Sequence, residues 1–513
     1  MVCSENIKKN EISSLRRSFP QIVAVMVKNI LLLVYGMSLG MPTILIPRLS
    51  QRNDTSESIF ITEEEISWIG SLNYLFVPLG CLLSGILTHL IGRKRSMQVI
   101  SVLLFSAFLL FYYAYKPWHI FFALCFTGFT GGLLEAPTMI YVVEITEPDL
   151  RGALSSTSTV AILIGIIMSY VLGTIYPWRT MALINACVPV IGLLLFIIIP
   201  ETPYWLLERR RTKEAKESIA WLRGWVNIEE IDEEYKSICD ELSKKTTEAF
   251  YSKIKIFSKL TFIKPYALMC LTLVLAHFGT TPINVYAIKI FEVLQVPIDT
   301  YLATILIGII ELFGSILLIF LVRYFGKRLL TFVSLFGVTI CFLCAGFYAY
   351  KINATHIETH NFINEDVSKQ YNWIPLAAIL SMGFFSYLMI YSLPWIIMGE
   401  IFPNEVRDTA AGISASTGYV IGFLANKTFL DIVNLAGLYG VFWFYSGIAA
   451  LGCFMLYIWL PETEGKSLQE ITNHFSGGSQ LSNQVKRYKR KDGMGAINNG
   501  FEKSESDKFS TRM

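Results

Sequence analysis

Pro200-Glu201-Thr202 and Pro461-Glu462-Thr463 are the same tripeptide, and each closes a long apolar run. They are the last of three signals that occur twice, in the same order, about half a chain apart. Gly92-Arg93-Lys94 returns as Gly326-Lys327-Arg328. Glu144, seven residues before Arg151, returns as Glu400, seven before Arg407. Each signal sits at the end of an apolar stretch, so the repeated unit is a set of membrane spans.

Composition agrees. The 513 residues are 53% hydrophobic and 16% charged, against about 25% charged in a soluble domain. The stretches Asn29 to Pro47, Ser96 to Tyr115 and Thr180 to Pro200 hold no charged side chain. Each is long enough to cross a ~30 Å hydrocarbon core as a helix rising about 1.5 Å per residue. Twelve such runs are expected, near 22–46, 66–91, 96–115, 118–145, 153–176, 180–199, 266–290, 299–322, 329–350, 373–400, 409–433 and 437–460. The short alternating strands of an outer-membrane barrel are not in evidence. The fold class is therefore an all-α membrane protein, with twelve transmembrane helices in two pseudo-symmetric six-helix bundles. A chain built from two similar membrane halves is a common plan for alternating-access transporters.

The reading divides the chain at 1–21, a segment before the first span, and 22–200, the first bundle. A linker with short helices follows at 201–265, then the second bundle at 266–461 and a largely disordered tail at 462–513. In the linker, Ala215, Ile219 and Leu222 recur at helical spacing among charges. Arg93, Lys94, Arg95, Arg151, Arg323, Lys327, Arg328 and Arg407 all fall in every second loop, which places those loops and both termini in the cytoplasm. The sequons at Asn53 and Asn353 fall in loops this topology puts outside, where both are glycosylation candidates, whereas Asn426 opens a sequon inside a span. The helix opening each triplet is expected to be interrupted: Gly36, Gly40 and Pro42 in the first, Pro137 in the fourth, Gly279 and Pro282 in the seventh, Pro394 in the tenth. Broken helices are tolerated where they line a watery cavity. Nine cysteines are scattered, mostly within spans; no zinc set, phosphate loop or nucleophile elbow occurs, so neither an enzyme nor a cofactor is expected.

At these repeated signals the chain resembles the sugar porter family of the major facilitator superfamily, and within it the insect trehalose and glucose facilitators. The likeness runs over nearly all of residues 20–475. It rests on Pro461-Glu-Thr-Glu-Gly-Lys-Ser-Leu-Gln-Glu470, Pro200-Glu-Thr-Pro-Tyr-Trp205, Ile66-Ser-Trp-Ile-Gly-Ser71 and Gly399-Glu-Ile-Phe-Pro-Asn-Glu-Val-Arg407. The resemblance implies a cytoplasmic gate of Arg93, Glu144, Arg151, Arg328, Glu400 and Arg407, clamping the halves in the outward-open state and parting in the inward-open one.

Several family positions are altered. His89 and Arg323 stand where the loop motif has an acid, Tyr204 where an arginine follows Pro-Glu-Thr-Pro, and Leu124 where the fourth span has an arginine. The amides that read sugar hydroxyls in the family correspond by register to Thr159, Leu275, Ala276 and Thr281. Trp395 keeps the aromatic platform of the tenth span. The candidate substrate-binding residues are thus Thr159, Thr281, Asn284, Tyr286, Glu311 and Trp395. Glu311 is the most unusual, because a charge at the centre of a span costs ~2.5–3.5 kcal/mol on insertion scales; Glu135 in the fourth span is similar.

What the resemblance implies is a facilitative carrier of a neutral sugar (hexose or trehalose-like) or a polyol, in the plasma membrane, working as a monomer with no nucleic-acid partner. Two alternatives stand beside it: proton-coupled symport through Glu311, and a non-transporting sugar sensor on the same scaffold.

Overall fold

The structure, a computed structural model, describes residues 14–50, 59, 61–244, 257, 260–355, 371–402, 406–475 and 481–482. The sequon at Asn53 and the tail beyond 482 lie outside the described residues. The first half is six long helices: α1 Ser14–Ser50, α2 Glu63–Ile91, α3 Arg93–Tyr112, α4 Pro117–Ile145, α5 Pro148–Ile175 and α6 Trp178–Leu195. Three short helices form the linker: α7 Pro203–Glu208, α8 Thr212–Leu222 and α9 Asp232–Lys244. The second half runs through α10 Leu260–His277, α11 Thr280–Val285, α12 Ala287–Val293, α13 Thr300–Phe325, α14 Lys327–Lys351, α15 Trp373–Phe385, α16 Leu393–Ile397, α17 Arg407–Trp459 and α18 Leu468–Phe475.

Eleven helical stretches among the described residues are long and apolar enough to span a membrane. The expected twelfth is inside α17, whose helical course is broken at Gly437 (φ 74°, ψ 166°). The same backbone occurs at Gly92 (φ 95°, ψ 170°) between α2 and α3, and at Gly326 (φ 77°, ψ 167°) between α13 and α14. This region of φ and ψ is open essentially to glycine alone, so three glycines turn the chain back into the bilayer. Two of them head the duplicated Gly-Arg-Lys and Gly-Lys-Arg signals.

Of the four expected interruptions, those in the seventh and tenth spans are present among the described residues. Gly279 (φ 106°) separates α10 from α11, and Tyr286 separates α11 from α12. A π-turn over Ser386–Ile390 separates α15 from α16, with Pro394 in the first turn of α16. By contrast α1 runs through Pro42, and α4 through Pro137. Both are closely packed against their neighbours. A Cβ added at Gly128 of α4 would lie 2.0 Å from Asn73 O of α2, and one at Gly132 would lie 2.1 Å from Val77 O. This small-xxx-small contact brings backbones together without side chains between them, and a proline that removes one hydrogen bond does not break it. The tail also departs from expectation: α18 forms past the last span, with Ser467 and Glu470 exchanging a capping box and Ile471 buried.

We call the face carrying α7–α9 the linker side and the opposite face the far side. On the far side the halves touch directly. Thr43 Oγ1 donates to Asn284 O at 3.1 Å, and Ser67 Oγ donates to Lys427 O at 3.1 Å. Trp68 packs on Phe423 and receives Lys427 Nζ over its ring.

Candidate functional site

The repeated signals assemble into one device per half. Glu201, in the first Pro-Glu-Thr, accepts from the backbone N–H of Arg93 at 3.0 Å and of Lys94 at 3.0 and 3.1 Å. Glu462, in the second, accepts from Lys327 N at 3.2 Å and Arg328 N at 3.0 Å. Each carboxylate thus caps the start of a helix whose first amides have no helical partner. The middle signal closes the set. Arg93 Nη2 pairs with Glu144 Oε1 at 2.6 Å, and Lys327 Nζ pairs with Glu400 Oε1 at 2.5 Å. Arg151 Nη2 donates to Thr146 O and Arg407 Nη2 to Phe402 O, both at 3.3 Å and both five residues back.

The counterpart of Arg93 is therefore Lys327, as the aligned signals Gly92-Arg93-Lys94 and Gly326-Lys327-Arg328 imply. Arg328 instead donates to Tyr457 O at 2.7 Å, with its guanidinium over Phe332 and Tyr457. The ion pairs seen among the described residues of the linker side all stay within one half plus its adjoining segments. Two buried carboxylate oxygens, Glu144 Oε2 and Glu400 Oε2, have no partner among the described residues. The duplication extends even to what is left unsatisfied.

Between the halves lies a second, more polar set. Glu311 of α13 is 1% exposed and accepts from Asn284 Nδ2 at 2.7 Å. Asn284 Oδ1 is buried without a partner among the described residues. His277, at the end of α10, is buried with Nδ1 3.2 Å from Thr281 Oγ1 and its Nε2 unsatisfied. Its ring meets Tyr74 of α2 and Tyr391, which follows the π-turn, edge-on at 6.2 and 5.9 Å. Tyr170, Tyr387 and Tyr391 lie within electrostatic reach of the Glu311 carboxylate. The break at Gly279 and the π-turn bring these groups together, because each lets side chains leave the regular helical surface.

Toward the linker side, Glu135 Oε1 accepts from Tyr419 Oη at 2.7 Å, a hydrogen bond that joins α4 to α17. Tyr419 packs with Tyr74 and Val77, with Trp395 5.8 Å from its ring. Trp395 is half-buried in this cluster. Tyr286 sits apart from the polar set: its ring stacks on Phe429 at 4.7 Å, and a Cβ on Gly70 would lie 2.9 Å from its hydroxyl. Thr159 is exposed, two helical turns before Ile167, which touches Gly308 of α13. Leu275 packs on Gly452 and Ala276 is buried. Asn353 is exposed at the far-side end of α14, whereas Asn426 is fully buried.

His277 and Lys28 were not singled out in sequence. Lys28, wholly buried in α1, donates to Ser158 Oγ at 2.7 Å, and neighbouring Asn29 donates to Thr157 Oγ1 at 2.7 Å. The altered Tyr204 donates to Glu241 Oε2 at 3.0 Å; burial, then that carboxylate, pushes its hydroxyl up to about 12. Among the described residues no group of three or more His, Cys, Asp or Glu side chains could hold a metal ion.

The model of the sugar (and other) transporter family matches residues 35–475. The chain belongs to that family. It is a transporter-family protein and not an enzyme. It is 29% identical over 447 residues to the facilitated trehalose transporter Tret1 of Polypedilum vanderplanki, spanning 86% of this chain and 85% of that one. With Tret1 of Apis mellifera ligustica it shares 27% identity over 501 residues, 95% of this chain and 97% of the relative. The fold of this transporter is that of the partially occluded inward-open xylose transporter XylE from E. coli, with a TM-score of 0.69 at 18% identity, covering 88% of this chain and 100% of that one. A proton:xylose symporter XylE bound to 6-bromo-6-deoxy-D-glucose superposes with a TM-score of 0.67 at 19% identity, covering 90% and 100%.

Proposed function

We propose that this transporter is a facilitative, alternating-access carrier of a neutral sugar, hexose or trehalose-like, or of a polyol. One observation carries the reading. Where the halves meet, buried neutral hydrogen-bonding atoms stand without partners among the described residues: His277 Nε2 and Asn284 Oδ1. Such atoms are costly in a buried place, and a ligand rich in hydroxyls would satisfy donors and acceptors alike. Thr281 and Trp395 flank the set, and Thr159 would line the path toward it from the linker side. The relatives' trehalose transport supports the sugar class.

In this proposal the linker side is cytoplasmic, as its excess of Lys and Arg supports, so both termini are inside and the structure is inward-facing. Glu144 Oε2 and Glu400 Oε2 would gain partners when the halves close on that side, which is how Arg93, Arg151, Arg328 and Arg407 would take part in a gate. The exposure of Asn353 on the far side supports its glycosylation, and with it residence in the plasma membrane. The protein would function as a monomer.

A second reading draws on Glu311, a buried carboxyl whose hydrogen-bond partner is the neutral Asn284. It makes the protein a proton-coupled symporter. Purified protein in liposomes separates the two. The facilitative reading expects saturable counterflow of glucose, trehalose or a polyol, insensitive to an uncoupler, reduced in Trp395→Ala and retained in Glu311→Gln. Accumulation that an uncoupler collapses, and that Glu311→Gln abolishes while exchange persists, would establish symport instead. Ligand binding with no flux would reject both and leave a sensor.

A further inference from the structure

Outside the central site, a cavity of about 290 Å³ opens where the linker-side ends of α3 and α6 meet α7 and α8. Its walls include Lys94, Arg95, Gln98, Ile197, Trp205 and Arg211, with Glu201 and Glu214. Every lining residue belongs to the first half or the linker, so the cavity is no part of the passage between the halves. Three cations against two carboxylates leave the lining one positive charge in excess.

The carboxylates are already committed. Glu201 caps the amides of α3, and Glu214 takes both Arg211 Nε and Nη2, at 2.8 and 2.5 Å. The Trp205 wall is fixed by its Nε1 donating to His89 O at 3.1 Å. What remains is Lys94 and Arg95: Lys94 Nζ reaches only Ile197 O, at 3.5 Å, and Arg95 is exposed. The lip is apolar and faces outward. Ile197 is 70% exposed, and Ile198 and Leu194 beside it are each 60% exposed. A basic recess opening beside bare aliphatic side chains at a helix end matches an amphiphile, with a charged head inside and a hydrocarbon tail along the lip.

We propose that this cavity holds the headgroup of a monoanionic glycerophospholipid from the adjoining leaflet, its phosphate between Lys94 and Arg95. The volume is at the small end for ligand pockets, about 300 Å³, which suits a headgroup and leaves the acyl chains on α6. Basic pockets between transmembrane helices bind the head groups of anionic lipids, and each Lys or Arg near the surface adds about 1 kcal/mol.

The test is lipid retention by the full chain in phosphatidylcholine nanodiscs carrying graded phosphatidylglycerol, with bound lipid counted by native mass spectrometry. Wild type should retain one phosphatidylglycerol in preference to phosphatidylcholine. Lys94→Gln with Arg95→Gln should weaken retention about thirtyfold, at roughly fivefold per cation removed near the surface. Lys213→Gln with Lys236→Gln, exposed cations elsewhere on the linker helices, should leave it unchanged. Gln98→Trp, which fills the recess and keeps every charge, should also abolish retention and covers the case of a misfolded double variant. Equal retention by wild type and the Lys94 and Arg95 variant would overturn the proposal. So would displacement of the bound lipid by millimolar inorganic phosphate with the same affinity in lipid-free micelles, which would make the site one for free phosphate.

Discussion

Tyr419→Phe tests whether the Glu135–Tyr419 bond resists separation of the two halves on the linker side. The bond spans α4 and α17 at 2.7 Å, and a bond joining the halves is lost when they swing apart at that level. A hydrogen bond to a charged group contributes about 1.5–3 kcal/mol net. Glu135 is only half-buried, so the lower end applies, about 1.5 kcal/mol, or roughly tenfold in the equilibrium between states. The variant removes one hydroxyl and keeps the ring that packs on Tyr74, so packing should be little changed. The readout is a single cysteine at Val285, which is 6% exposed and faces Gly70 across the far-side contact. In a background without other cysteines, a membrane-impermeant maleimide added to the far side labels it only when that side opens. Losing the bond favours the state open on the linker side and closed on the far side, so labelling in Tyr419→Phe should be about tenfold slower than with Tyr419 present. A rate changed less than twofold, in protein whose thermal unfolding is otherwise normal, would refute the reasoning.

Three further outcomes follow from the linker side and the linker itself. Lys327→Ala should lower stability by about 2 kcal/mol, below the fully buried range because Glu400 keeps a quarter of its side-chain exposure; Arg328→Ala should cost less than about 1 kcal/mol, so thermal melting of the two variants distinguishes them. Glu201→Gln should destabilise by about 1–2 kcal/mol, since a neutral amide caps α3 less well than a carboxylate, and an unchanged melting temperature would remove the capping role. Lys216 holds the Asp232 carboxyl below its ordinary 3.8; a depressed carboxyl stabilises above its unfolded value and loses that contribution as pH falls through the folded one. The protection of α9 amides, corrected for the intrinsic pH dependence of exchange, should therefore be steady from neutral pH down to about 5 and fall only below the ordinary carboxyl range.

The spans were legible because membrane crossing is written in local composition: a run of apolar residues needs no partner elsewhere to be recognised. The same locality explains what was missed. Pro-Glu-Thr marks the end of a half in sequence, yet the partners of Glu201 and Glu462 lie 108 and 135 residues upstream, which no spacing rule reveals. Arg328 was grouped with the gate arginines by residue type, whereas in the aligned signals Lys327 stands at the place of Arg93 and pairs with Glu400. Prolines in α1 and α4 looked like breaks, but whether a proline breaks a helix is decided by the neighbour pressed against it. Lys28 escaped notice because it stands at the edge of an uncharged run, although its helix extends well past it. At the centre, Glu311 and Asn284 were both foreseen singly; their hydrogen bond depends on how the seventh span is broken.

One consequence of the paired caps concerns the order in which the chain is made. The carboxylate that fastens α3 is synthesised after all six helices of its half, and the one that fastens α14 arrives only after the final span. Each half thus carries its own closing rivet at its trailing end, and the second cannot be set until the ribosome has passed the last membrane span.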